Sequence, residues 1–269
     1  MRGLRTGLIV VGAAVIAGAC GYVGFRAGQA DTLYFLSGGM AYGPDRMRAV
    51  VDHMLGREDF RALYGQDLWV SRAVYPDVEN GYFVDLGAAD GETDSNTKLL
   101  ELKGWKGICI DPFASAMQQR TCTVVREAVD SEAGNVVEFQ QPGNFSGGLV
   151  KYAGAWVSDE DKQETVKLIT TTLETILDKA GAPHFINYMS VDIEGAEYPA
   201  LKDFPFDKYR IGAFTIEHNN VEERRTAIRQ LMEANGYHLE HAVLDQDWYV
   251  LNDLKEAEEE TAPKEPTQE

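Results

Sequence analysis

The sequence predicts an α/β fold built on a doubly wound, mostly parallel sheet. Three observations carry this. From Gly81 onward, short apolar runs alternate with helix-period segments, the pattern of parallel strands joined by crossover helices. The closing stretches YHLEHAVL and DWYVLND read instead as an antiparallel strand pair at one edge. Acids stand at the ends of four of these runs, at Asp85, Asp111, Asp192 and Glu217–His218. The carboxyl ends of parallel strands are where such sheets bind ligands.

Residues 1–30 read as a membrane segment. Arg2 and Arg5 precede an uncharged stretch from Thr6 to Phe25, long enough to cross a bilayer as a helix. An uncleaved anchor is favoured, because the apolar run exceeds the usual core of a signal peptide. A cleaved signal is the second reading. A lipoprotein signal ending at Ala-Gly-Ala-Cys20 is the third, and Ala17 fits it poorly. Arginine bias puts the N-terminus inside and the domain outside. Residues 31–61 read as a connector with a helix, since Met47, Val50, Val51, Met54 and Leu55 recur at helical spacing.

The main domain spans 62–254. GYFVDLG (81–87) is its first strand, and SNTKLLELKG (95–104) a helix capped by Asp94 or Ser95 and stopped by Gly104. WKGICIDP (105–112) is the second strand, with a short helix FASAMQQR after it, and TCTVVREAV (121–129) the third. VVEFQ (136–140) and VKLITTT (166–172) are further strands flanking the glycine-rich loop QPGNFSGGLV, which reads equally as a lid or as a hairpin connection. LETILDKAG (173–181) is a helix closed by Gly181. FINYMSVDIEG (185–195) is the fourth main strand, and AEYPALKDF opens a helix that tolerates Pro199 only near its start. YRIGAFTIEHN (209–219) is the fifth main strand, followed by the amphipathic helix VEERRTAIRQLMEANG. Residues 255–269 form an acidic tail expected to be disordered.

Composition narrows the function. The chain has 269 residues, 44% hydrophobic, enough for one large core, and a net charge of −18 that disfavours a nucleic-acid partner. Cys20, Cys109 and Cys122 form no CxxC or Cys/His cluster, so no metal site is expected of them. Cys109 and Cys122 read as small buried thiols, with a disulfide open to them if their strands are neighbours. Nothing in the pattern fixes an oligomeric state.

The loop FVDLGAADGETDSNT (83–97) is the most informative stretch. Gly87 and Gly91 permit a tight turn and close ligand approach. The spacing is Gly-Ala-Ala-Asp-Gly rather than GxGxxG, and Asp85, Asp90, Glu92 and Asp94 crowd the site where a dinucleotide would place its pyrophosphate. Such a pocket repels a diphosphate and suits a cationic ligand. Asp111 lies 24 residues beyond Gly87, where an acid accepts from ribose hydroxyls.

These stretches resemble the FkbM family of class I S-adenosylmethionine-dependent methyltransferases. The resemblance covers about 62–252 and rests on YGQDLWV (64–70), NGYFVDLGAADG (80–91), SNTKLLE (95–101), GWKGICIDP (104–112) and SVDIEGAEYPAL (190–201). It implies a Rossmann-like seven-stranded sheet, S-adenosylmethionine as cofactor, and O-methylation of a hydroxyl on a sugar, polyketide or similar small molecule. It also implies cofactor positions: Asp85, Gly87 and Gly91 around the methionine part, with Ala88, Asp90, Asn96 and Asp192 beside them, Asp111 on the ribose, and Asp130 near the adenine. Most members lack a membrane segment, so residues 1–30 are an addition.

Methyl transfer to a hydroxyl needs in-line positioning and a base. His218 is the first candidate base, because histidine is tuned for that task. Asp192 is expected near the methyl donor and Glu194 to orient the acceptor, while Glu197 reads as a helix N-terminal acid. Asp192 and Glu194 as ligands of a divalent cation is the weaker alternative. His184, His238 and His241 have lesser positional claims, and Gln66 and Asp67 are possible pocket residues without an assigned role. Two other functions compete. An NAD- or nucleotide-sugar-dependent oxidoreductase is opposed by the missing GxGxxG, and a non-catalytic membrane-tethered binding module by the retained Asp85, Gly87, Gly91 and Asp111. One conflict stands: arginine bias places the domain outside, whereas the methyl donor is made in the cytosol.

Overall fold

The computed structural model describes residues 60–114, 117–140, 147–152 and 165–261. The expected membrane segment (1–30), nearly all of the connector helix and the last part of the acidic tail lie outside them. Among the described residues, no helix is long and apolar enough to cross a membrane.

The chain builds a seven-stranded sheet of order β10–β11–β9–β8–β1–β2–β3. Its strands are β1 (Tyr82–Leu86), β2 (Lys106–Ile110), β3 (Thr123–Val125), β8 (Phe185–Val191), β9 (Arg210–Glu217), β10 (Tyr237–Val243) and β11 (Gln246–Leu251). β1 runs parallel to β2 and β8, and the parallel run extends to β3 and β9. Only β11 runs against its neighbours, β9 and β10. Strand order reverses at β1: the chain steps outward to β2 and β3, then returns on the other side as β8. The carboxyl ends of β1 and β8 are therefore adjacent, with Leu86 opposite Val191. This is the switch point where an open α/β sheet leaves a crevice.

The central strands read as continuous apolar runs because both faces are covered. Val84, Ile108, Ile110, Ile186, Met189, Ile211 and Phe214 are fully buried in one core. Helices α1 (Gln66–Trp69), α2 (Lys98–Leu102), α3 (Leu173–Ala180), α4 (Glu197–Leu201) and α5 (Glu222–Ala234) join or flank the strands. In α3 the Thr172 hydroxyl accepts from the Thr175 N–H, and Gly181 ends the helix in the left-handed region at φ 64°. Glu222 and Glu223 favour the N-terminus of α5, which buries Ile228 and Met232.

A four-stranded sheet, β4 (Ala128–Val129), β7 (Thr165–Thr171), β5 (Val136–Gln140) and β6 (Gly148–Leu149), stands beside the carboxyl ends of the large one. Its Phe139 and Leu149 pack on Ala196.

Four expectations change. The third strand predicted over 121–129 divides: β3 joins the large sheet, β4 pairs with β7, and Arg126–Glu127 pass between. The helix predicted over 95–104 shortens to α2, with Ser95 accepting the Lys98 N–H at its start and Thr97 turned inward to donate to Asp85 of β1. Cys109 and Cys122 are not free thiols but a disulfide with Cα atoms 6.0 Å apart, stapling β2 to the start of β3. The tail does not begin disordered: α6 (Leu254–Thr261) forms, because Leu254 and Ala257 reach the main core.

Candidate active site

β1 ends in the turn Gly87–Gly91, whose shape is set by backbone. Gly87 and Ala88 N–H groups donate to the Ile110 carbonyl. Gly87 has φ +92°, and a Cβ placed there would lie 1.7 Å from the Asp192 carbonyl oxygen. Only glycine lets the ends of β1 and β8 approach this closely.

Beneath the turn lies a polar knot. Asp85 is buried and accepts the Thr97 hydroxyl at 2.6 Å. Burial pushes its carboxyl pKa up, against the downward pull of Arg120 and Thr97. Arg120 ties the knot: Nε donates to Glu101 at 2.9 Å, Nη1 to the Gly91 carbonyl at 2.7 Å and to Ser95, and Nη2 to Thr97 at 2.8 Å. Sequence reasoning missed Arg120. It follows a short polar run and makes its contacts 19 to 29 residues away, so no local pattern marks it.

The turn opens onto a cleft of about 240 Å³ at the carboxyl ends of the strands. Of the residues singled out in the sequence, Asp85, Gly87, Ala88, Asn96, Asp111 and Asp192 line it. Asp111 is held at the rim: its two oxygens accept the Phe113 N–H at 2.7 Å and the Ala89 N–H at 3.0 Å. That leaves lone pairs free to accept from a ligand hydroxyl. Asn96 donates to Ser190 at 2.8 Å.

Three predicted cofactor residues sit elsewhere. Asp90 caps its own turn, accepting the Glu92 and Thr93 N–H groups and the Thr93 hydroxyl, each at 2.8 Å, and does not line the cleft. Gly91 shapes the turn and gives its carbonyl to Arg120. Asp130 is buried and bound to Lys151 and to the Tyr152 hydroxyl. Burial works to raise its pKa, but those bonds and the Ser131 N–H hold it below the usual range. Glu127, Ala128 and Val129 take its place in the wall. The register of β4 decides which residue of REAVD faces in, and sequence does not supply it.

The opposite end of the cleft is acidic. Asp192 and Glu217 end neighbouring strands, and Glu194 is turned back by a left-handed conformation at φ 55°. Asn219 lies 3.4 Å from Glu194 as donor. Burial, with neighbouring carboxylates adding, pushes Asp192 and Glu194 each up to about 7 and Glu217 far above its usual range. Glu197 is fully buried and accepts the Ile193 and Gly195 N–H groups at 3.0 and 2.9 Å, so it braces the turn. Burial raises it to about 7 as well. Tyr64, from the segment before α1, lines the same end and donates to Asp245 at 3.3 Å. Gln66 supports this wall by donating to Gln246 at 2.9 Å, and the buried Asp67 caps the Arg61, Ala62 and Leu68 N–H groups. Neither Gln66 nor Asp67 lines the cleft.

These shifts set a pH dependence. In the unfolded chain the acids release protons near their ordinary values of 3.8 and 4.5, while the folded protein holds them to about 7. Stability from this source is therefore complete below about pH 4 and is lost as pH rises through 7. Urea unfolding of ligand-free, chelator-treated protein should show falling stability from pH 5 to pH 8. The fall should be shallower in Glu217→Gln. A flat profile would contradict the burial of these acids.

His218 does not face the cleft. It is 2% exposed, its Nδ1 accepts the Asn220 N–H at 3.2 Å, and its Nε2 points toward Asp247 at 3.8 Å. Asp247 is itself bound by Arg225 and Arg229 of α5. The imidazole thus belongs to the joint between β11 and α5. Consecutive strand-end residues point to opposite faces, and it is Glu217 that takes the cleft side. His184 and His238 are surface residues, and His241 stacks edge-on against Trp69 and Trp248. Among the described lining residues there is no histidine.

No curated protein matches this chain at a significant level. The model of the FkbM methyltransferase domain matches residues 85–239, more than half of the chain. The matched stretch begins at the buried Asp85 and contains the Gly87–Gly91 turn, Asp111, the Asp192–Glu197 turn and Glu217. The chain belongs to the FkbM methyltransferase family.

Proposed function

We propose that the domain uses S-adenosylmethionine to methylate a hydroxyl of a small-molecule acceptor, such as a sugar or polyketide. The observation that carries this reading is the charge pattern of the cleft. Asp85, Asp111 and Asp192 line a crevice opened by Gly87, with Glu194, Glu217 and Asp245 at its far end. A cationic sulfonium with its ammonium group is favoured there, because a positive charge beside acids held near neutrality drives them to ionise, whereas a diphosphate meets no lysine or arginine among the described lining residues. Asp111, braced by two N–H groups, is the ribose acceptor.

Transfer is an in-line displacement. The acceptor oxygen forms a bond to the methyl carbon as the carbon–sulfur bond breaks, leaving S-adenosylhomocysteine. Holding these three atoms in a row supplies much of the acceleration. Asp192 and Glu194, each raised to about 7, orient the hydroxyl and receive its proton. This role passes to them from His218, which lies behind the cleft wall. The Tyr64–Asp245 pair borders the acceptor end.

Asp111→Ala tests the cofactor assignment. Loss of charge-assisted hydrogen bonds to the ribose should weaken S-adenosylmethionine binding by about 1–3 kcal/mol in titration calorimetry. Unchanged affinity would place the ribose elsewhere. An NAD-dependent oxidoreductase is the competing reading. It is disfavoured by Asp94, which lines the cleft beside the turn that would have to cradle phosphate.

We further propose that residues 1–30 tether the domain to a membrane and that the domain faces an oxidising compartment. The arginine bias supports this, and so does the Cys109–Cys122 disulfide, a bond that persists in such compartments. In sealed vesicles the C-terminal tail should be accessible to protease from that side. Cys109 and Cys122 should resist alkylation until reduced. Free thiols at both positions together with a protected tail would reverse the orientation.

A further inference from the structure

We propose that Asp192, Glu194 and Glu217 form a divalent-cation site at the acceptor end of the cleft, taking Mg²⁺ or Mn²⁺. One carboxylate oxygen from each of the three lies within 4.8 Å of the others. Hard cations hold oxygen ligands at about 2.0–2.6 Å, so two oxygens across one ion stand roughly 4–5 Å apart. The three side chains therefore reach a single ion with small rotations.

The fold brings them together for separable reasons. Asp192 and Glu217 follow parallel strands whose ends are in register, with Val191 opposite Ile216. Glu194 is returned toward them by its left-handed backbone at φ 55°. A non-glycine residue held in that region is strained, and such strain gathers at functional sites.

A second observation points to a ligand. Glu217 is 9% exposed and its Oε2 is buried without an N–H or hydroxyl donor, its close neighbour being a second carboxyl, Asp192, although its side chain faces the cleft. Buried carboxylate oxygens are normally satisfied. No lysine or arginine among the described residues forms an ion pair with Asp192, Glu194 or Glu217. Arg224, the cation that acts on Glu194, spends its guanidinium on Asn219 and the Tyr152 carbonyl. Three crowded acids thus lack the positive charge that would hold them together.

The donor set is all oxygen, with no nitrogen or sulfur, which suits Mg²⁺ or Mn²⁺ rather than zinc or copper. Three protein ligands leave positions open toward the cleft. A hydroxyl bound there is fixed in place and made more acidic. That use of the ion rests on the methyl-transfer reading. The existence of the site does not.

The test uses the full chain, stripped with chelator and titrated with Mn²⁺ alone while electron paramagnetic resonance counts the free ion. One Mn²⁺ per chain should bind and be displaced by excess Mg²⁺. Affinity should fall about tenfold or more in Glu217→Gln and in Asp192→Asn, near-isosteric changes that each remove one ligand charge. Two variants guard against one failing to fold, with circular dichroism recorded for each. No uptake of Mn²⁺ at millimolar concentration, or uptake unchanged in both folded variants, overturns the site. S-adenosylmethionine binding is measured on the same samples. Donor binding without Mn²⁺ uptake removes the cation site alone, and Mn²⁺ uptake without donor binding removes the methyl-transfer reading alone.

Discussion

A Gly87→Ala protein should melt about 10 °C below wild type and lose measurable binding of S-adenosylmethionine. Two costs combine at this position. The backbone is at φ +92°, a region that costs a residue with a side chain about 1–3 kcal/mol. The new methyl would also stand 1.7 Å from the Asp192 carbonyl oxygen, which is backbone and cannot rotate away. Forcing β1 and β8 apart adds roughly another 1–3 kcal/mol. For a domain of this size each kcal/mol moves the midpoint by about 2–4 °C. The site suffers separately, because Asp85, Gly87 and Asp192 line one crevice and the separation of the strand ends sets its width. Scanning calorimetry and a donor titration read the two effects. A midpoint within a degree or two of wild type would mean that the strand ends do not meet as described.

Arg120→Met should cost about 3–5 kcal/mol in urea unfolding, the range for removing one member of a buried ion pair. The Arg120 side chain is 0% exposed and that of Glu101 4%. Without the guanidinium, buried Glu101 keeps only the Cys122 N–H and Lys98 at 3.6 Å, and the Gly91 carbonyl, Ser95 and Thr97 each lose a donor. A second change, Glu101→Gln, made on top of the first should restore part of the loss, because it removes the stranded charge. Donor affinity should also fall by about tenfold, since the Gly87–Gly91 turn is no longer held in its bound shape. Arg120 does not itself line the cleft and reaches it only through Ser95 and the Gly91 carbonyl, so the drop would come through the turn. Unchanged donor affinity in a folded variant would show the turn to be rigid without it.

Much of this architecture is written locally. Strands β1, β2, β8 and β9 are apolar runs ended by acids, and their length, pattern and turn residues suffice to place them. Asp85, Asp111 and Asp192 were legible for the same reason, as polar residues at the ends of buried strands. What escaped depends on pairing. The break of 121–129 into β3 and β4 comes from two different sheets claiming its halves. The disulfide depends on Cys109 lying opposite Val124, next to the start of β3. Tyr64 meets Asp245 across 181 residues, and Arg120 closes its knot over loops that carry no repeating pattern. Glu217 and His218 are neighbours on one strand end, and a one-residue difference in facing sends one into the cleft and the other to Asp247. Histidine chemistry made His218 attractive, but a side chain's direction outweighs its pKa.

The account rests on an acid-lined crevice that ionises around, and so selects, a positively charged adenosyl donor. Titration calorimetry of the purified chain with S-adenosylmethionine, and separately with NADH, tests this most directly. One S-adenosylmethionine should bind per chain, NADH should give no heat, and Asp111→Ala should weaken the donor. Saturable NADH binding with no response to S-adenosylmethionine would contradict it.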